Sequence, residues 1–412
     1  MQFRDLFNKK TWLPDLDVIF EIDEFKLMSH CPQSVKWHKE GNVREHTKLV
    51  TEHMQNILSI NGIKPSDDEY YIMMMSSAIC HDLGKPSTTL FDSEKEDYTT
   101  RNHGAVGARI TRRIFFDEEI MLREKVCYMV RRHMDMHHLY DKGTETATRN
   151  IIKLSHGFKG VTVKDLTLLN VSDSLGSVND IDTDFSIYGK AVKIKNDAER
   201  INCYEEPYKF LDDYQKMYYL SNDNYVPLME NPLLTPYRMK GIGEFTVYIL
   251  IGVPGAGKTY YTQHKLNGKK VISRDIIRSE IGIKGEKPQG NKKQEELVTK
   301  IFNEELIKCC KIGKDFVIDN TNVRKLYRDE YKGIILEYKP KIVYIYIEAP
   351  DDTTNRKRRE GMMSMSVIDK MWNYFDFPEL YECSELIIEK QKPSILIRLK
   401  KIIRSIFKGN VV

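Results

Sequence analysis

The sequence predicts a multidomain protein in which an all-α domain is followed by an α/β domain with a parallel sheet. Apolar residues recur at helical spacing through the first half, without a convincing strand. In the second half, short apolar runs alternate with helical segments, which is typical of a parallel sheet covered on both faces. The length of 412 residues and the 41% hydrophobic content fit two or three domains, and they exclude a peptide hormone, a fibre or a disordered tail.

The charge balance and the cysteines narrow the class of protein. The 64 Lys and Arg nearly cancel the 60 Asp and Glu, so the net charge of +4 does not indicate a partner. Seven cysteines without framework spacing suit a reducing compartment, and disulfides are not expected. Met1 to Lys10 contain no apolar stretch of signal-peptide length, and no window reaches the roughly 18 apolar residues of a membrane span. We therefore expect a soluble, cytoplasmic protein with no membrane span.

The first domain, residues 1–225, is predicted to be helical and to hold the histidine-dependent chemistry, because ten of the eleven histidines precede residue 160. A stretch rich in Asn, Pro and Gly then breaks the periodicity and predicts a linker at residues 226–243. The helical patterns cover Val43 to Leu58, Tyr70 to Leu83, and about 103–115, 118–135, 163–176 and 187–220.

The second domain, residues 244–390, is predicted to contain buried strands and a phosphate-binding loop. The strand-like runs are Phe245 to Val253, Lys270 to Ile272, Phe316 to Ile318 and Ile342 to Ile347. The run GVPGAGKT matches G-x-x-x-x-G-K-[ST] between a strand and a helix. In such a loop, backbone amides surround phosphates, the lysine reaches the β and γ phosphates and the threonine binds Mg²⁺. We expect ATP with Mg²⁺ on Gly252, Gly255, Ala256, Gly257, Lys258 and Thr259.

Polar residues after the next two strands predict the phosphoryl acceptor site. Asp275 follows the second strand, where a carboxylate can accept the proton of an attacking hydroxyl, and Arg278 can hold an anionic acceptor one turn further on. The alternative is a helix-capping Asp with a surface Arg. The third strand ends at the edge where such sheets bind ligands, in the polar residues Asp319, Asn320 and Asn322.

A cluster of arginines follows the last of these strands. Arg356, Arg358 and Arg359 lie where they can close over a transferring phosphoryl group. Together with the phosphate loop and the acceptor residues, they resemble the 5′-hydroxyl polynucleotide kinases of the bacteriophage type over about residues 245–385.

That resemblance implies a role for each matched residue. Lys258 and Thr259 serve ATP and Mg²⁺, Asp275 is the general base, and Arg278 contacts the acceptor or the transferred phosphate. A lid is formed by Arg356 with Arg359 or Arg358, and acceptor contacts come from the strand end at Asp319, Asn320 and Asn322. The phage-type enzymes have an Asp at the position of Asn320, and their lid arginines are spaced differently by about one residue.

The first domain places potential metal ligands on facing helices. His46 lies on the apolar stripe of one helix, and His81 with Asp82 ends the next. Adjacent helical residues differ by about 100° around the axis, so His81 and Asp82 can hold one ion from two directions. Asp173 also lies on an apolar helix face, where an unpaired carboxylate costs several kcal/mol and a cation is a suitable partner.

The order His46, His81-Asp82, Asp173 resembles the HD phosphohydrolase superfamily over about residues 30–220, and His103 and His133 strengthen the match. Within that superfamily, the sequence resembles the HD domains of bacterial CCA-adding enzymes, which have 2′,3′-cyclic phosphodiesterase and phosphatase activity. The resemblance implies one divalent ion on the first four residues and a second site at His103 and His133. Four further histidines are interpreted as solvent-facing or packing residues, namely His53, His137, His138 and His156.

Mixed imidazole and carboxylate ligands favour Mn, Fe, Co, Ni or Zn over Ca. Such an ion polarises a phosphoryl oxygen and lowers the pKa of a bound water to near neutrality. Lys85, one turn after His81, can neutralise a substrate phosphate, and the alternative is a lysine that interacts with the helix dipole.

The whole chain, in this domain order, resembles bifunctional end-healing enzymes in which an HD phosphoesterase precedes a polynucleotide kinase. We expect it to act on RNA or DNA ends and to produce ends that a polynucleotide ligase can join. Two alternatives remain: an HD nucleotidase fused to a small-molecule kinase, and a nucleotide-regulated signalling protein.

The last segment, residues 391–412, is predicted to be a basic amphipathic helix. Lys390 to Val412 contain seven Lys or Arg and no acid. Such a helix can lie on nucleic acid or an anionic membrane. It can equally pack its apolar face on its own domain.

Overall fold

The computed structural model describes residues 1–180, 184–221, 243–282, 292–350, 352–360 and 364–391. The predicted linker 226–243 and the basic segment 391–412 lie outside the described residues, apart from Gly243 and Gln391. The chain divides into two units, Met1–Leu211 and Asp212–Val412, and each is described by itself. No helix in the described part of the chain is long and apolar enough to cross a membrane.

The first unit is a bundle of helices with one small hairpin. Side-chain caps begin several helices: Asn42 accepts from the amide of Glu45, and Thr162 forms a capping box with Asp165. The helices are α1 (Leu16–Ile19), α2 (Asp23–Lys26), α3 (Val43–Ile60), α4 (Glu69–Cys80), α5 (Lys85–Thr88), α6 (His103–Ile114), α7 (Ile120–His137), α8 (Thr144–Ser155), α9 (Val163–Gly176) and α10 (Asp184–Arg200).

The helices that hold the candidate metal ligands pack closely on one another. Helix α3 packs on α4 and α9, α4 packs on α7, and α6 packs on α7. Glycines allow the closest approaches: a Cβ at Gly104 would lie 2.9 Å from the carbonyl oxygen of Arg131. Helix α4 is buried on nearly every side because its residues are almost all apolar or small.

Three details of the first half were predicted wrongly. A two-stranded antiparallel hairpin, β1 (Thr89–Asp92) and β2 (Asp97–Thr100), stands where no strand was predicted. Its threonine and aromatic residues favour strands, but each strand is only four residues long. Helix α8 was not predicted. The predicted helix 187–220 is interrupted after Arg200, and its second part belongs to the second unit.

The second unit is a five-stranded parallel sheet with the order β4-β5-β3-β6-β7. The prediction of a helical domain followed by an α/β domain with a parallel sheet is therefore confirmed. The strands are β3 (Thr246–Ile251), β4 (Lys270–Ile272), β5 (Phe316–Ile318), β6 (Lys341–Glu348) and β7 (Glu385–Lys390). The helices are α11 (Asp213–Ser221), α12 (Lys258–Lys265), α13 (Arg274–Glu280), α14 (Lys292–Ile312), α15 (Lys325–Ile335), α16 (Asp352–Lys357) and α17 (Met365–Asn373).

The sheet order brings the predicted nucleotide and acceptor residues to one edge. Strands β4, β5 and β3 are neighbours and parallel, so their carboxyl ends lie side by side. The phosphate loop follows β3, Asp319 follows β5 and α13 follows β4. The core beneath them is apolar and includes Leu250, Val317 and Ile345.

Candidate functional site

The first unit contains a buried cluster of imidazoles and carboxylates. The Nε2 atom of His46 lies 3.0 Å from Oδ1 of Asp173 and 3.3 Å from Nε2 of His81. The ligand atoms of these three residues all lie within 4.8 Å of one another. They come from α3, the end of α4 and α9, whose mutual packing produces the convergence.

A second group adjoins the first through Asp82. Its Oδ1 lies 3.4 Å from Nε2 of His103 and 3.8 Å from Nε2 of His133, and the two imidazole nitrogens are 3.0 Å apart. Asp82, His103 and His133 thus form a second set with metal-ligand spacing. The structure brings together all six side chains that were predicted as metal ligands in this domain.

The rings of the cluster are oriented by hydrogen bonds on their other nitrogens. The Nδ1 atom of His81 bonds to the carbonyl of Ala78 at 2.8 Å, and Nδ1 of His133 bonds to that of Val130 at 2.7 Å. The Nδ1 atom of His46 lies 3.0 Å from Oε1 of Glu40. Such contacts fix the tautomer so that Nε2 presents its lone pair to the cluster, as metal-ligating histidines require.

In the second unit, the phosphate loop is formed with two glycines at positive φ. Gly255 has φ +85° and Gly257 has φ +101°, in the region that favours glycine. The ammonium of Lys258 is buried and donates to the carbonyls of Gly252 at 2.8 Å and Val253 at 3.2 Å. Burial lowers the pKa of Lys258 to about 8, against the opposing effect of the Asp319 carboxylate.

Asp319 lies beside the phosphate loop. Burial raises the pKa of Asp319, the positive charge of Lys258 opposes that rise, and the nearby charge of Asp275 adds to it. The hydroxyl of Thr259 is also close enough to the carboxylate to oppose the rise in the pKa of Asp319. A carboxylate next to the P-loop threonine is placed to hold Mg²⁺, so this position favours the nucleotide side over the acceptor contact predicted for it.

Two family models match parts of the chain. Residues 43–165 match the HD domain, and residues 247–378 match the AAA domain. The chain carries an HD domain and, after it, a P-loop kinase-like domain. None of the curated proteins compared with it matches.

Two of the solved structures that match part of the chain do so with low identity and low TM-scores. One is described as a kinase from Chloroflexus aurantiacus, 14% identical, covering 42% of this chain and 100% of its own, with a TM-score of 0.31. Another is a sugar kinase from Janibacter sp. HTCC2649, 16% identical, covering 39% of this chain and 93% of its own, with a TM-score of 0.26. Neither specifies a substrate for this chain.

The HD cluster fits a divalent cation. Neither oxygen of the buried Asp82 carboxylate accepts a well-formed hydrogen bond from a described residue. Lys85 lies 2.7 Å from Oδ2, and the charges of His81 and Lys85 overcome burial to hold the pKa of Asp82 well below its usual range. Burial lowers the pKa of His103 to about 4 and that of His133 to about 3, so both rings are neutral and suited to bind a metal.

Positive charge is favoured elsewhere in the same cluster. Burial alone would lower the pKa of His81, but the carboxylates of Asp82 and Asp173 raise it to about 10. Two buried carboxylates in contact with one imidazole thus attract a cation to this place. Lys85 was predicted to contact a substrate phosphate. In the structure its ammonium contacts Asp82 and donates to Oε1 of Gln33 at 2.7 Å.

The sequence interpretation missed two contributors to the HD cluster. His137 was interpreted as a solvent-facing or packing residue, yet its Nε2 lies 2.9 Å from Oδ2 of Asp173. Its position one turn after His133 on α7 was the available signal. Glu40 was not considered: its Oε1 contacts Nδ1 of both His38 and His46, at 2.8 and 3.0 Å. Burial would raise the pKa of Glu40, but these hydrogen bonds hold it at about 2.

The acceptor side of the kinase-like domain is organised by an ion-pair network. The carboxylate of Asp275 is 87% exposed and lies 2.7 Å from Nη1 of Arg278. Glu295 of α14 receives two hydrogen bonds from Arg278, at 2.8 and 2.9 Å, and one from Arg274 at 3.3 Å. Bidentate pairing of this kind fixes the plane of a guanidinium. Glu295 was not identified from the sequence.

The two asparagines after β5 have different environments. Asn320 accepts from the amide of Arg274 at 3.0 Å and donates to the hydroxyl of Tyr331 at 3.2 Å. Asn322 is only 1% exposed and donates to the carbonyl of Leu250 at 2.7 Å. The side chain of Asn322 is therefore not placed to make the predicted acceptor contact. It is buried and links the end of β5 to β3.

The arginines predicted as a lid divide into two groups. Arg358 donates to the carbonyl of Gly255 in the phosphate loop at 3.0 Å. The charge of Arg359 acts on both Lys258 and Asp319, so it also lies near the nucleotide site. Arg356 instead pairs with Asp369 at 2.6 Å. This arrangement favours Arg358 and Arg359 as the phosphate-facing pair.

Proposed function

We propose that the chain repairs broken nucleic-acid ends. The HD domain hydrolyses 2′,3′-cyclic phosphate or 2′- or 3′-phosphate ends, and the kinase-like domain transfers the γ-phosphate of ATP to 5′-hydroxyl polynucleotide ends. Many ribonucleases leave this pair of ends, and the two reactions together convert them into ends that a polynucleotide ligase can join. RNA or DNA strands are therefore the proposed substrates.

In the HD domain, we assign the metal to two adjoining sets. His46, His81 and Asp173 form one set and Asp82, His103 and His133 the other, holding one or two ions of Mn, Ni, Co, Fe or Zn. A bound metal supplies Lewis-acid polarisation of the phosphoryl group and a nucleophilic water at neutral pH. The protein excludes bulk water by burying the ligands, and Lys85 fixes the carboxylate of Asp82.

In the kinase-like domain, the observation that carries the proposal is the Asp275–Arg278 pair beside the phosphate loop. The pair stands at the carboxyl end of β4, and the charge of Asp275 acts on Lys258 and Asp319. Asp275 accepts the proton as the 5′-oxygen attacks the γ-phosphorus and the bond to the leaving ADP breaks. Arg278 holds the acceptor phosphate, and Lys258 with Arg358 or Arg359 offsets charge on the transferred group.

The test is one oligoribonucleotide with a 2′,3′-cyclic phosphate and a 5′-hydroxyl, incubated with the full-length protein, labelled ATP, Mg²⁺ and Mn²⁺ or Ni²⁺. We expect both ends to change. Asp275→Asn should abolish labelling and leave 3′-end hydrolysis, whereas Asp82→Asn should do the reverse. Glu385→Gln, at an exposed ion pair, is the matched control and should retain both reactions. Exclusive phosphorylation of sugars or nucleosides offered in competition would refute the kinase assignment.

A further inference from the structure

A half-buried arginine and two exposed tyrosines form a cluster at the start of α15 and the end of α17. The guanidinium of Arg324 lies 5.5 Å from the ring centroid of Tyr327 and 5.5 Å from that of Tyr374. The two tyrosines are 39% and 55% exposed. None of the roles predicted for residues of the kinase-like domain uses any of these three residues.

Arg324 differs from the neighbouring cations in its described partners. The neighbouring cations are paired: Lys325 contacts Asp329, and Arg328 is bound to Glu382. In contrast, no carboxylate among the described residues lies within ion-pair distance of Arg324. Its guanidinium instead faces the rings of Tyr327 and Tyr374. A guanidinium held in place by aromatic faces, without a counter-charge, is suited to an anion from outside.

The position of the cluster connects it to the acceptor site. Arg324 follows the strand-end run after β5, and Asn320 in that run accepts from the amide of Arg274 at the start of α13. Asp376, two residues after Tyr374, accepts from the amide of Lys325 at 3.3 Å and so fixes the end of α17 against the start of α15. Arg324 therefore comes shortly after the carboxyl end of β5, and Asp275 and Arg278 come after the carboxyl end of the neighbouring strand β4.

We propose that Arg324, Tyr327 and Tyr374 bind the single-stranded nucleic acid beyond its 5′-terminal nucleotide. Arg324 contacts a backbone phosphate, and a base stacks on an exposed tyrosine face, which is the combination that sequence-independent single-strand sites use. This inference rests on the proposed function, because it names the substrate contact of the same kinase reaction. It predicts that the domain prefers a strand to a single nucleotide.

The experiment compares two acceptors, a 5′-hydroxyl 12-mer and a nucleoside 3′-monophosphate, with Arg324→Ala and Tyr374→Ala. Both variants should raise KM for the 12-mer about tenfold and leave kcat unchanged, as expected from losing one stacked base or one phosphate contact. KM for ATP and for the nucleoside 3′-monophosphate should change less than about twofold by the same reasoning. Tyr374→Phe should retain the low KM, since a phenyl ring still stacks.

Lys308→Ala is the matched control, because it removes one exposed positive charge from α14. An unchanged KM for the 12-mer in both alanine variants would overturn the proposal. That result is expected if the cluster binds an acidic peptide or another protein instead of the strand. If the wild-type protein phosphorylates no polynucleotide, the proposed function fails separately. Fluorescence anisotropy of a labelled 12-mer then decides the cluster, since Arg324→Ala must weaken binding and lower its salt dependence by about one charge.

Discussion

The buried pair of Arg328 and Glu382 gives a stability prediction that can be worked out from the structure. Both side chains are 0% exposed, and they form two hydrogen bonds of 2.8 and 3.0 Å. Burial alone would raise the pKa of Glu382, but the charge of Arg328 holds it at about 2. Against an ordinary pKa of 4.5, this corresponds to about 3 kcal/mol of folding free energy.

Glu382→Gln should therefore destabilise the second unit by about 3 to 5 kcal/mol, because it leaves the Arg328 guanidinium buried without its counter-charge. The assay is calorimetric unfolding, in which the transition of this unit should fall by about 10 °C. The lowered pKa also sets the pH dependence. The stabilisation is fully present above about pH 4.5 and is lost as the pH falls toward 2. The free energy of unfolding of the variant should therefore fall less than that of the wild type over this pH range.

The exposed pair of Lys341 and Glu385, with side chains 53% and 47% accessible, provides the control. Glu385→Gln should cost less than about 1 kcal/mol. Equal destabilisation by the two glutamine variants would refute the reasoning that burial, and not ion pairing as such, determines the effect.

Three further predictions concern the two sites. Mn²⁺ or Ni²⁺ at about 100 times its Kd should stabilise the HD unit by about 2.7 kcal/mol, raising its transition in differential scanning calorimetry by roughly 5 to 10 °C; the absence of a shift, or an equal shift in Asp82→Asn, would contradict the site. With Lys258 at a pKa of about 8, ATP binding at pH 9 should take up about one proton, and little at pH 7; calorimetric heats that do not depend on the buffer at pH 9 would contradict this. Gly84→Ala should abolish phosphoesterase activity and destabilise the HD unit by about 1 to 3 kcal/mol, because its Cβ would lie 2.0 Å from the carbonyl oxygen of His103. Gly189→Ala, whose Cβ meets nothing within 4 Å, should be neutral or slightly stabilising in the same unfolding assay.

The sequence predicted most of the fold because its patterns are strong and local. Helix α3, helix α9 and strand β5 were found to within a few residues, since each has a clear apolar period or a fully buried run. Strand β7 was missed because its apolar run is only three half-buried residues long, with charged residues on both sides. The hairpin was missed because four-residue strands carry little periodic signal.

The candidate sites divide in the same way. Residues carried by a motif, such as Lys258 and His81, were identified, and the structure brings the motif residues together. Glu40 and Glu295 were not identified, because an acid in a charged stretch carries no mark that it will face a histidine or an arginine far along the chain. Asn322 was misjudged for the converse reason: its neighbours suggested a ligand, while its side chain turned inward to a backbone carbonyl.

The contact of Glu40 with His46 has a consequence for dissecting the protein. The carboxylate also accepts a hydrogen bond from the amide of Val178 at 2.9 Å, so the segment before α3 and the segment after α9 meet at one acid. A fragment that begins at Val43, where the match to the HD domain begins, would keep all six predicted metal ligands and lose Glu40, which contacts His46. A fragment of this domain that is meant to keep the contact with His46 must therefore begin before Glu40.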